Sequence, residues 1–131
     1  MSTKINVEVS CGELIDKLSI LSIKKEKIKD ENKLKNVVHE YNKLQKKADI
    51  LRQINESKFD AFYSELKKIN SELWEIEDEI RVHEKNNVFN DHFIELARSV
   101  YITNDQRFDT KNKINSFFSS GVVEEKNYEK Y

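Results

Sequence analysis

A chain of 131 residues that is 36% charged and 37% hydrophobic, with no proline and two glycines, has the composition of long exposed helices. Such a composition excludes a β-sandwich and a glycine-rich phosphate-binding fold. A net charge of −1 supplies no global field toward nucleic acid or a membrane surface, so neither is expected as a partner.

The first residues, Lys4 to Val9, alternate polar and apolar with β-branched side chains on one face. This predicts a short strand over 4–9. Ser10 and Glu13 then have the spacing of a capping box, which opens a helix over 11–29. Leu14, Leu18, Leu21 and Ile28 form its stripe, and Ile15, Ile20 and Ile23 widen it. So wide an apolar arc predicts more than one packing neighbour. Asp30 to Asn32 interrupts the pattern and caps a second helix over 33–54.

Leu34, Val37, Tyr41, Leu44, Ala48 and Leu51 step along this second helix by three and four. Phe59, Phe62, Leu66, Ile69, Leu73, Ile76, Ile80 and His83 do the same along a third, over 58–85, which Ser57 is placed to cap. The four-residue connection predicts that the two fold back as an antiparallel, coiled-coil-like hairpin. Asn90 or Asp91 caps a fourth helix over 91–119. Its apolar residues are Phe93, Ile94, Ala97, Val100, Tyr101, Phe108, Ile114 and Phe118. Gly121 is placed to end it in the left-handed conformation, and a charged, tyrosine-bearing tail occupies 121–131. The expected fold is a single all-α domain, an antiparallel bundle of three to four helices with a short N-terminal strand.

Charge is unevenly spread. Residues 17–35 hold seven lysines against three acids, and residues 65–84 hold seven acids against three bases. The first helix is therefore expected beside the third. Cys11 is the single cysteine, so no internal disulfide forms. No apolar run approaches ~18 residues and no signal peptide opens the chain, which makes the cytoplasm the expected location. His39, His83 and His92 lack metal-ligand spacing. No metal or cofactor is expected.

The fourth helix carries a polar interruption at Asn104, Arg107 and Lys111. Polar groups on a packed face must be paired or they cost stability. The third helix offers Trp74, Glu77, Arg81 and Glu84 on a stripe beside its apolar seam, with Glu77 and Arg81 spaced as a helix ion pair. Three of the four arginines, Arg81, Arg98 and Arg107, fall on these two helices, against nineteen lysines over the whole chain. Arginine in a lysine-rich chain marks places where forked, bidentate donation matters. Both a register-fixing ladder of ion pairs and an anion-binding cleft walled by Trp74 satisfy that pattern.

Several strings together carry a resemblance: Gly12 to Lys17, Lys33-Leu34 with Asn36-Val37, Leu73-Trp74 with Ile76-Glu77-Asp78 and Ile80-Arg81. Phe93 to Tyr101 follows, with Asn104-Asp105 and Arg107, then Lys111 with Ile114-Asn115, and Glu125-Lys126 with Tyr128 and Tyr131. The chain resembles, over nearly its whole length, a family of small bacterial and phage helical proteins, a domain of unknown function. Some members sit beside genes for surface-polysaccharide synthesis. The resemblance implies no activity. It points to Glu77, Asp78, Arg81, Arg98, Asn104, Asp105, Arg107 and Lys111, and Trp74 joins them as a wall. Two functions are consistent with these readings. One is an interaction or assembly protein, homo-oligomeric because its apolar stripes exceed what one partner covers. The alternative is a protein or enzyme that binds a small anion, a phosphosugar, nucleotide or carboxylate, through the polar cluster of the third and fourth helices.

Overall fold

The computed structural model describes residues 2–131. Four helices follow in order: α1 (Cys11–Lys27), α2 (Glu31–Ile54), α3 (Glu56–Lys85) and α4 (Asp91–Phe117). They form an all-α bundle with antiparallel packing. The predicted N-terminal strand is absent: no described residue lies in a strand. Residues 2–9 run alongside no partner, and Ile5 is 81% exposed. Alternation marks a chain able to pair, but a strand needs a second backbone to bond. The C-terminal tail, the one other non-helical segment of comparable length, packs along α4 instead.

Each helix start is capped by a side chain. Ser10, Asp30, Asn55 and Asn90 accept from the amides of Glu13, Lys33, Lys58 and Phe93. Asn55 takes the place expected for Ser57, which lies inside the first turn of α3. The left-handed residue after α4 is Ser119, with φ 53°, and Gly121 has no positive φ. The amide of Ser120 closes the helix end on the Asn115 carbonyl at 2.8 Å.

α1 is the hub. It packs on α2, α3 and α4, as α3 does on its own three neighbours, while the backbones of α2 and α4 stay apart. Ile15, Leu18, Leu21 and Ile23 are all buried, so the wide arc of α1 is consumed by three neighbours in the same chain. Its width therefore no longer calls for a second copy. The basic first helix lies against the acidic third, with Lys27 Nζ 2.7 Å from Glu75. The α2–α3 hairpin is less of a coiled coil than its heptads suggest, because α1 separates the two helices away from their turn. Near that turn Ala48, Leu51, Phe59 and Leu66 join Ile15, Leu18, Ile114 and Phe118 in one core.

The third-helix seam is buried only in part. Phe59, Leu66 and Ile69 are enclosed, whereas Phe62, Leu73, Ile76, Ile80 and His83 are half-buried. Length explains this. At ~1.5 Å per residue α1 spans about 26 Å and α3 about 45 Å, so α3 runs on past α1, whose last residue, Lys27, pairs with Glu75.

α4 presents a different face to the core than its apolar residues predict. Ile94, Ala97 and Tyr101 are exposed, while Leu96, Thr103, Thr110, Lys111, Ile114 and Asn115 are buried. The buried face is largely polar because polar groups of α1 and α3 meet it.

α1 and α4 approach closely at Gly12. A Cβ there would lie 2.6 Å from the Lys111 carbonyl oxygen and 3.0 Å from the Lys111 Cα. Only a residue without a side chain fits against that backbone. This contact places the first turn of α1 beside Lys111 and Asn115.

Candidate functional site

Gly12, Asp16, Ser19 and Ile23 step by four, three and four along the innermost line of α1, and all four are buried. Asp16 is therefore a carboxylate at the centre of the bundle, 0% exposed. An ionised group in such a place persists only if it is paired and hydrogen-bonded. Asn70 of α3 donates its Nδ2 to Asp16 Oδ1 at 2.8 Å and to Ser19 Oγ at 2.8 Å. Arg107 of α4 brings its Nε to both Asp16 oxygens, at 3.0 and 3.1 Å, and its Nη2 to Oδ2. Lys111, one turn further along α4, lies 3.9 Å from Asp16.

Lys111 is itself almost enclosed. Its Nζ donates to Glu13 at 2.7 Å and to Glu124 of the tail at 2.9 Å. The other Glu124 oxygen accepts from Ser10 Oγ at 3.1 Å. Burial by itself lowers the proton affinity of the Lys111 ammonium, but the Glu13 and Glu124 hydrogen bonds outweigh it and the net shift is upward. The Arg107 guanidinium is likewise held charged, first by its hydrogen bonds to Asp16. Glu13 was expected to complete a capping box. Its carboxylate turns to Lys111 instead, and the Ser10 hydroxyl alone caps the Glu13 amide at 3.0 Å. The result is a buried network of Asp, Glu, Lys, Arg and Asn side chains across α1, α3 and α4, closed by the tail.

A groove of about 1220 Å³ lies between α4 and the tail. Asn104, Asp105, Arg107 and Lys111 line it from the helix, together with the rings of Tyr101 and Phe108. Glu124 to Tyr131 form the opposite wall. Two contacts of Asp105 hold the wall, from Lys126 Nζ and from the Tyr131 hydroxyl. They keep the Asp105 carboxyl below the usual range, Lys126 being the larger influence. The hydrogen bond to Asp105 in turn pushes the Tyr131 phenol up to about 12. A smaller cleft of about 200 Å³ opens on the α1–α2 side, and Arg107 lines this one as well.

The structure thus brings four of the nine sequence-derived site residues to one groove: Asn104, Asp105, Arg107 and Lys111. The other five lie apart. Glu77 and Arg81 form an i,i+4 pair of 2.7 Å in which Arg81 is 71% exposed. Asp78 and Arg98 are exposed, and Trp74 is half-buried on α3. None of these five lines the groove. The α3 contribution to the network is Asn70, which periodicity could have flagged as an amide four residues after the buried Leu66. Asp16 and Glu124 were not singled out either. The signal for Asp16 was its register with Gly12 and Ser19 on the inner line of α1. Glu124 had none, because the tail has no periodicity.

The arrangement holds cations in place with spent carboxylates. Glu13, Asp16 and Glu124 are all engaged by Lys111 or Arg107, so none stands free as a proton acceptor. Of the five N–H donors of an arginine, Arg107 directs its Nε and Nη2 edge at Asp16. Its Nη1 has no hydrogen bond to any described residue. No group of three or more histidine, cysteine or carboxylate side chains among the described residues is arranged to hold a metal ion. No helix among them is long and apolar enough to cross a membrane.

No curated protein and no solved structure matches the chain. The family model that does match is described as a family of unknown function, DUF6165, and it spans residues 5–131. With nearly the whole chain matched, the protein belongs to that family.

Proposed function

We propose that the protein binds a small anionic metabolite in the groove between α4 and the C-terminal tail, with Arg107 as the anion anchor. One observation carries this reading. A fully buried carboxylate, Asp16, fixes one edge of the Arg107 guanidinium and leaves Nη1 without a partner. A guanidinium held in this way loses little freedom when it meets a ligand, which is the preorganisation that tight anion sites use. Asn104 and Lys126 add polar groups along the groove, and Tyr101, Phe108, Tyr128 and Tyr131 add ring surface for the body of a ligand. A few convergent polar groups on an aromatic-lined concavity are the usual features of a small-molecule site. Binding, rather than assembly through apolar stripes, is the role these features favour. Phosphosugars, nucleotides and carboxylates are the classes that fit.

A thermal-shift screen against those three classes tests the proposal. At least one compound should stabilise the wild-type protein. Arg107→Ala and the milder groove variants Asn104→Ala and Tyr128→Ala should lose that stabilisation, and Arg81→Ala should keep it. A screen in which no compound stabilises the protein, or a hit that survives all three groove variants, refutes it.

A further inference from the structure

We infer that the anionic group recognised at the inner end of this groove is a monoanionic carboxylate, and that Glu124 of the tail occupies its place. This rests on the small-anion reading above and narrows it.

The Glu124 side chain behaves as a bound ligand does. It belongs to a segment with no regular structure, yet its carboxylate enters a corner built from buried groups. One oxygen accepts from Ser10 Oγ and the other from Lys111 Nζ. Ser10 is 1% exposed, and the Lys111 side chain is 8% exposed. One turn beyond Lys111, α4 also carries a buried donor with nothing to bond. Asn115 is 3% exposed, its Oδ1 accepts from the Gly12 amide at 2.7 Å, and its Nδ2 has no partner among the described residues. The backbone amides of the first α1 turn are not the recognition element. Ser120 Oγ, Asn115 Oδ1 and Ser10 Oγ already cap Cys11, Gly12 and Glu13.

Charge counting selects the ligand class. Lys111 and Arg107 face Glu13 and Asp16, so the corner without Glu124 is balanced. Glu124 adds one negative charge and is held. A phosphate monoester, close to a dianion at neutral pH, would add nearly two beside two fixed carboxylates, and like charges at such range repel strongly. A planar carboxylate also matches the present arrangement, in which each oxygen takes one donor.

A ligand carboxylate must then compete with Glu124. If the tail carboxylate is docked in about nine molecules of ten, apparent affinity is reduced about tenfold, because only the open fraction binds. The test is calorimetric titration of butyrate, a monocarboxylate, with inorganic phosphate as the second probe, into the wild-type protein, Glu124→Gln, Glu124→Ala and the exposed control Glu72→Gln. Butyrate should bind both Glu124 variants at least about tenfold more tightly than it binds wild type or the control. Phosphate should gain distinctly less. Equal butyrate affinity in wild type and the Glu124 variants overturns the inference, as does a phosphate gain that matches or exceeds the butyrate gain. Undetectable butyrate binding in both folded Glu124 variants overturns it too. Failure here is distinguishable from failure of the broader reading. Screening hits that depend on Arg107 but are indifferent to Glu124→Gln remove this inference alone, whereas the absence of any hit removes both.

Discussion

Asp16→Asn is the sharpest perturbation of the network, because it removes one charge and almost no volume. Asp16 is fully buried and accepts from Arg107 and Asn70, with Lys111 at 3.9 Å. An asparagine in the same rotamer presents an NH2 group to Arg107 or to the Asn70 amide, so a donor faces a donor. Breaking a buried ion pair by removing one partner costs about 3–5 kcal/mol, because the surviving charge is left uncompensated. The Arg107 side chain is 29% exposed, so water relieves part of that penalty. The expected loss is therefore at the lower end, about 3 kcal/mol. Against a total stability of ~5–15 kcal/mol for a domain, this is a large fraction. Urea unfolding followed by circular dichroism measures it as a lowered midpoint with an unchanged slope. A double-mutant cycle adds the diagnostic. Asp16→Asn combined with Arg107→Gln should be less destabilised than the sum of the single variants, because the orphaned cation is gone. A loss below about 1 kcal/mol for Asp16→Asn, or strict additivity in the cycle, refutes the view that this pair ties α1 to α4.

Three further outcomes follow from the same geometry. Gly12→Ala should destabilise by about 2 kcal/mol despite the better helix propensity of alanine, since its Cβ meets the Lys111 backbone and α1 must shift from α4; a neutral or stabilising effect in urea melts would contradict the close approach. Leu66→Ala should cost about 2–5 kcal/mol, and Leu73→Ala clearly less, because Leu66 is fully enclosed and Leu73 is not; equal costs would mean that the far half of α3 is covered. Tyr131 is raised to about 12 from 10.0 by its hydrogen bond to Asp105, so its contribution to tail docking is complete below pH 10 and is lost as pH rises toward about 12. Ultraviolet titration of Tyr131→Phe should lack the last-ionising tyrosine of the wild-type curve, and an unchanged curve would show that the tail is not docked through this bond.

Helix content was legible because three-four spacing and capping residues are local signals. The four helices are written in Ser10, Asp30, Asn90 and the heptads of residues 34–51 and 59–69. The wrong strand at 4–9 and the overextended α3 seam share a cause, since pairing partners and helix overhang are properties of the assembled chain. On α4 apolar residues were counted as the core-facing set, yet Ile94 and Tyr101 face out while Lys111 and Asn115 face in. Hydrophobicity cannot locate a buried face whose partners are Asp16, Glu13 and Asn70. For the same reason the sequence pointed to the α4 residues that line the groove and not to the α1, α3 and tail groups that meet them. The polar gap at Asn104, Arg107 and Lys111 showed that partners were needed. It did not show that they would come from the inner line of α1 and from an aperiodic tail.

The most direct test of the central claim is a nuclear magnetic resonance titration of the isotope-labelled protein with the best compound from the screen, following backbone amides and the arginine Nε–H groups. The anion-groove account predicts saturable shifts at Asn104, Lys126 and Tyr128 and at the Arg107 Nε–H, with Arg81 and Arg98 unmoved. Saturable shifts confined to the α3 face around Trp74 and Arg81, with Arg107 and the tail unchanged, would contradict it.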